Sequence, residues 1–191
     1  SWAEKLYNGM TVCLLRYNTP IVGGDIVRSP IISVAITAFG EVAPKRVISR
    51  SKAKVGDAIV VTGCHGASSA GLELMLNPDI TTSLEKNYRE ALIKAHQRPK
   101  PRLDVLPILW EIVDSYSVTD ISGMDTSDGL ADAILQVCQS SKVGAAIEAT
   151  QIPLHQAFEN WLTQEQALQY ALYGGEDFEL LLCLPEPAAN K

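Results

Sequence analysis

The stretch that most constrains this chain is Gly123-Met-Asp-Thr-Ser-Asp-Gly-Leu130. Behind it, Leu130, Ala133, Ile134, Val137 and Cys138 recur at the 3.6-residue period of a helix, which is expected to run to about Ser141. Asp125 and Asp128 thus stand three apart at a helix start. Ser127 or Asp128 reads as the N-cap, with Asp125 in the loop before it. A cap needs only one such side chain. Two carboxylates crowded together repel each other unless a cation lies between them. Magnesium takes oxygen ligands of this kind, with substrate phosphates completing its shell. A capped helix with a spare surface aspartate satisfies the same residues.

The rest of the chain sets limits. Its 191 residues suit one large domain, or a domain with part of another. A net charge of −6 and a pI near 5.1 argue against a general nucleic-acid binder, because phosphate backbones need a basic surface. A nucleotide substrate remains open, since metal ions can meet its charge. Cys13, Cys64, Cys138 and Cys183 form no Cys-x-x-Cys pair, so neither a zinc knuckle nor a disulfide framework is expected. Such usage fits a reducing cytoplasm. No apolar run approaches the ~20 residues of a membrane span, and Ser-Trp-Ala-Glu-Lys lacks the apolar core of a signal peptide.

Taken in order, residues 2–17 have helical spacing. A short strand from Ile21 then ends in Gly23-Gly24-Asp25, which reads as a plain turn or as a second metal-ligand candidate. The alternation of Ile32, Val34, Ile36 and Ala38 predicts a strand over 31–39. Residues 1–47 are expected to be the tail of a first domain, and residues 48–191 most of a second. Arg50, Lys52 and Lys54 follow. Arginine suits bidentate phosphate contacts, whereas the lysines fit a solvated linker. Residues 56–63 read as a buried strand. Gly63-Cys-His-Gly66 then leads into a helix over 70–77, without the residues of a P-loop or a dinucleotide fingerprint. His65 reads as structural or solvated. A helix from Leu84 to Ala95 and a rigid His96–Arg102 connector come next. Asp104 is expected to cap the helix that follows, with Pro107 in its first turn and Trp110 in the core. Residues 143–147 predict a strand, and 154–162 and 165–173 predict helices. A strand should start at Asp177, directly behind Gly174-Gly175-Glu176, and no closing helix is expected.

Three glycine-and-acid turns therefore recur, at 23–25, 125–129 and 174–177. In this order, with Arg-Ser-x-Ala-Lys-x-Gly-Asp at 50–57 and Pro-x-Pro-Arg at 99–102, they resemble the thiamine-monophosphate kinases. That family is a branch of the ATP-binding superfamily typified by aminoimidazole-ribonucleotide synthetase. The resemblance implies an α/β fold of the α+β type: a partial N-terminal α/β domain, then a mixed-sheet domain with helices packed on it. It implies Mg2+ held by Asp25, Asp125 and Asp128, and ATP touched by Gly24, Arg50 and Ser127. Glu176 falls on the thiamine-monophosphate side, and the full-length protein would be a homodimer. The implied reaction moves the γ-phosphoryl of ATP to thiamine monophosphate. Phosphoryl transfer asks chiefly for positioning and charge neutralisation, which an acidic protein meets by recruiting cations. The chain departs from the family pattern at Ile26 (usually threonine), Thr126 (usually apolar) and Lys52 (usually small). Family segments at both ends, with further aspartates at the first, have no counterpart here, so little or no activity is expected of this chain alone. Two other readings share the residues: a sibling synthetase with another acceptor, and a non-catalytic regulatory protein on the same fold.

Overall fold

The computed structural model describes residues 1–80 and 84–191. They form two compact units, Ser1–Gly40 and Glu41–Lys191. The first unit holds helix α1 (Trp2–Leu15), started by a capping box between Ser1 and Glu4. None of its residues is buried. The strands expected from Ile21 and over 31–39 do not form. These segments keep Val22, Ile32 and Phe39 well exposed, and no ladder partner lies beside them among the described residues. Alternation prepares a strand, but only a neighbouring backbone can complete one.

The second unit is built on a four-stranded mixed sheet in the order β1-β3-β4-β2. Its strands are β1 (Ile48–Ser49), β2 (Asp57–Val61), β3 (Ile121–Asp125) and β4 (Leu180–Pro185). β1 runs parallel to β3, while β4 pairs antiparallel with both β3 and β2. Five helices of eight or more residues surround it: α2 (Ala67–Leu76), α3 (Lys86–Gln97), α4 (Leu106–Ser115), α5 (Leu130–Ser141) and α6 (Gln164–Tyr173). The expected mixed sheet with packed helices is what the chain adopts.

β4 lies inside the sheet, so alternate side chains serve opposite cores. Leu181 and Cys183 join Leu130, Ala133, Val137 and Ala171 of α5 and α6. Leu182 and Leu184 join Leu109 and Val113 of α4. Burying one such leucine contributes roughly 1.5–3 kcal/mol over leaving it exposed. A third cluster (Ala70, Leu74, Leu92, Phe158 and Ala167 among it) binds α2 and α3 to α6.

Several elements differ from expectation. β2 is half-buried rather than buried, because it is an edge strand. Residues 143–147 stay a loop after Lys142 closes α5 in the left-handed conformation. With β2 and α5 they line a largely apolar cavity of about 500 Å³. Residues 154–162 contribute only a 3-10 turn at Gln156–Phe158. A short helix α7 (Glu186–Ala189) follows β4, and buries Ala188. Among the described residues no helix is long and apolar enough to cross a membrane.

His65 is fully buried, and neither ring nitrogen has a hydrogen-bond partner among the described residues. Burial pushes its pKa below the ordinary 6.5, against an upward pull from Glu179. The unfolded chain therefore takes up a proton that the folded chain refuses. Stability is whole above about pH 6.5 and falls as pH drops from there toward the folded pKa. In His65→Leu the Tm difference between about pH 5 and about pH 7.5 should shrink. At neutral pH this variant should gain about 1 kcal/mol, since two orphaned polar atoms disappear. Thermal unfolding at both pH values checks this, and an unchanged pH dependence in the variant would refute it.

Candidate functional site

β3 delivers Asp125 to the end of the sheet, and the chain turns through Thr126-Ser127-Asp128 into α5. The helix is not capped as expected. Gly129 occupies the N-cap position with φ 103° and no side-chain bond, so neither Ser127 nor Asp128 has that role. Asp125 Oδ2 accepts only a local bond from the Ser127 N–H, at 3.3 Å. The exposed Asp128 carboxylate has no hydrogen-bond or ion-pair partner among the described residues. Both carboxylates are free for a ligand. Thr126 is buried, and its N–H and hydroxyl both donate to the Glu179 carbonyl at 2.9 and 3.4 Å. Its polar side chain is thereby accommodated where an apolar one was expected.

Arg50, Asp125, Ser127 and Asp128 line one open cleft of about 770 Å³. Arg50 reaches it from the loop after β1. Its guanidinium donates to Gln136 Oε1, and Gln136 Nε2 in turn donates to Asp132. Ser141 at the end of α5 latches the same loop by donating to the Arg50 carbonyl (2.8 Å) and accepting from the Ala53 N–H (3.0 Å). Gln136 also lines the cleft. Sequence reasoning missed it, since a glutamine on a helix face signals nothing until its neighbours are known. Lys52 and Lys54 are not a free linker. Each pairs with Asp120 at 3.2 Å, and their ammonium groups hold that carboxyl below its ordinary range.

The Gly174–Glu179 loop packs against the Asp125–Asp128 turn. The Glu176 N–H donates to the Ser127 carbonyl at 2.7 Å. Gly175 is needed there, because a Cβ would lie 2.7 Å from that same carbonyl oxygen. Glu176 and Phe178 both adopt left-handed backbone, at φ 67° and 53°. Such conformations persist only where the surroundings impose them. They also delay β4, which begins at Leu180 instead of Asp177.

The surroundings are specific. Asp177 accepts from the Gly66 and Ser68 N–H groups at 2.6 and 2.9 Å, satisfying the start of α2, whose own N-cap is a glycine. Burial pushes the Asp177 carboxyl up, and these N–H groups oppose the shift. Glu179 accepts from Arg102 and from the Thr62 hydroxyl. Arg102 also forks onto Asp104 at 3.0 and 3.1 Å. Asp104 therefore serves Arg102 rather than capping α4, whose N-cap is Val105. With Asp104 first and Glu179 second, the guanidinium is held above its ordinary pKa.

Gly24 and Asp25 lie in the first unit. Asp25 Oδ1 accepts from the Ile26 N–H at 2.7 Å, and Gly24 backs onto the Tyr7 hydroxyl. Among the described residues no group of three or more His, Cys, Asp or Glu side chains is arranged to hold a metal ion. Asp125 and Asp128 fit a magnesium bound through one or two carboxylates with substrate phosphates supplying the rest.

Residues 54–191 match the family described as AIR synthase related protein, C-terminal domain. A thiamine-monophosphate kinase from Synechococcus elongatus is 49% identical over 184 residues, 96% of this chain and 54% of that protein. The chain thus spans about half the length of the curated relatives it matches. A crystal structure of thiamine-monophosphate kinase from Stenotrophomonas maltophilia superimposes with a TM-score of 0.66 at 25% identity, covering 78% of this chain and 46% of that one. AaThiL complexed with AMPPCP and TMP superimposes with a TM-score of 0.61 at 32% identity, covering 74% and 43%.

Proposed function

Because this chain belongs to the AIR synthase related family and carries its C-terminal domain, we propose that the protein is a thiamine-monophosphate kinase. It would transfer the γ-phosphoryl of ATP to thiamine monophosphate, giving thiamine diphosphate and ADP. One observation carries this reading: Arg50, Asp125, Ser127 and Asp128 share a cleft whose wall is hydrogen-bonded to the Glu176 loop. The names of the relatives, and a relative solved with AMPPCP and TMP, support the choice of substrates.

Each residue then has a role. Arg50, held by Gln136, offers a planar fork to a phosphate. Ser127, half-buried, lines the same cleft. Asp125 and Asp128 would hold Mg2+, and the resemblance gives Asp25 the role of a metal ligand and Gly24 a place against the nucleotide. When bound, the ion neutralises phosphate charge and orients the oxygens for in-line transfer. Glu176 faces the acceptor. Because its backbone bonds to Ser127, the acceptor group and the nucleotide group are set by one turn. Residues 1–47 supply the end of the nucleotide-binding domain, residues 48–191 most of the second domain, and the full-length protein is a homodimer. The 191-residue chain alone has little or no turnover.

The test is thiamine diphosphate formation by the full-length protein with ATP, with and without Mg2+. Product that requires both ATP and Mg2+ is expected. ADP release stimulated by another acceptor and not by thiamine monophosphate would refute the assignment.

A further inference from the structure

Nothing in the sequence around His96 marks it as a site residue, yet it meets Glu176. It sits near the end of α3, 80 residues away in the chain. Its Nδ1 lies 3.1 Å from Ser68 Oγ and 3.5 Å from Glu176 Oε2. Among the described residues His96 is the one side chain paired with the Glu176 carboxylate. A carboxylate only accepts, so Nδ1 faces it as an N–H; the Ser68 hydroxyl then accepts from that nitrogen at 3.1 Å, with the carboxylate at ion-pair distance. The constellation is no nucleophile triad. That would place serine and acid on opposite ring nitrogens, and here both meet Nδ1.

The backbone and the side chain of Glu176 are thus fixed from different sides. Its N–H is bound to the Ser127 carbonyl, on the nucleotide side. Its carboxylate projects, 58% exposed, from a left-handed residue, and among the described residues only His96 is placed to choose among its rotamers. We propose that His96 is a positioning residue of the acceptor site: its Nδ1, steadied by Ser68, orients the Glu176 carboxylate for the acceptor. This rests on the reading of Glu176 as the acceptor-side group. Orientation matters because a carboxylate held in one rotamer binds without the entropic cost of being ordered.

The experiment is steady-state kinetics of the full-length protein, varying thiamine monophosphate and ATP separately. His96→Ala should raise the acceptor KM up to about fivefold, the worth of one partly exposed ion pair. The ATP KM should stay within about twofold. His96→Asn places an amide nitrogen near the position of Nδ1 and should recover most of the loss. In the double variant with Glu176→Gln, losing His96 should cost nothing further, since it acts through that carboxylate. Equal changes in both KM values, absence of rescue by asparagine, or additive losses in the double variant would overturn the proposal. If His96→Ala fails to fold, the asparagine variant and its pairing with Glu176→Gln decide alone. Wild-type protein that makes no thiamine diphosphate would overturn the kinase reading as well. Product formation with additive losses overturns the role of His96 only.

Discussion

Replacing Asp125 or Asp128 by asparagine is expected to lower kcat/KM of the full-length protein by about 10³-fold, while its unfolding temperature hardly moves. The size follows from the chemistry, because a metal-held phosphoryl group receives several kcal/mol of charge stabilisation in the transition state. Asparagine keeps the shape and loses the charge. Stability should be spared because the Asp128 carboxylate bonds to nothing among the described residues. The one local bond to Asp125, from the Ser127 N–H, can be accepted by an amide oxygen. Surface changes of this kind stay within about 0.5 kcal/mol. Raising Mg2+ should recover part of the activity if the loss is one of metal affinity. An asparagine variant with wild-type kcat/KM at low Mg2+ would remove these carboxylates from the mechanism.

Gly71→Val should destabilise the protein by about 3 kcal/mol or more, at the upper end of what overpacking costs. Gly71 lies in α2 where it crosses α3, and a Cβ there would sit 2.1 Å from the Leu92 carbonyl oxygen. The obstacle is backbone, so no rotamer relieves it. The two helices must separate, loosening Ala70, Leu74 and Leu92, all of which are fully buried. For a domain of this size Tm should fall by roughly 6–12 °C. Alanine already tests the sign. Helix propensity alone predicts that Gly71→Ala stabilises by about 1 kcal/mol, whereas the crossing predicts a loss. Calorimetry or urea unfolding decides, and a stabilised alanine variant would refute the close approach.

The same pair of helices bears on the acid loop. α2 offers its first N–H groups to Asp177, and α3 carries His96 to Glu176. Gly71 is far from the cleft in sequence terms, yet it sets the spacing between both holders of that loop. None of this is visible in a linear chain. Ser68, His96 and Glu176 are spread over more than a hundred positions, and no spacing rule joins them.

The linear chain specifies the parts whose bonds are local. Helical hydrogen bonds close within four residues, so the periodicities place α1, α3, α5 and α6 to within a few residues. The Asp125–Asp128 turn is legible for the same reason, as the start of α5. What needs a distant partner is left to the tertiary structure. The segments at 31–39 and 143–147 read as strands in the sequence but form none, for a ladder requires a second backbone. Asp128 could have been a cap, and Asp104 was expected to be one. A glycine took the first position, and Arg102 claimed the second aspartate. Capping and pairing draw on the same oxygens, and only the fold decides which donor arrives first.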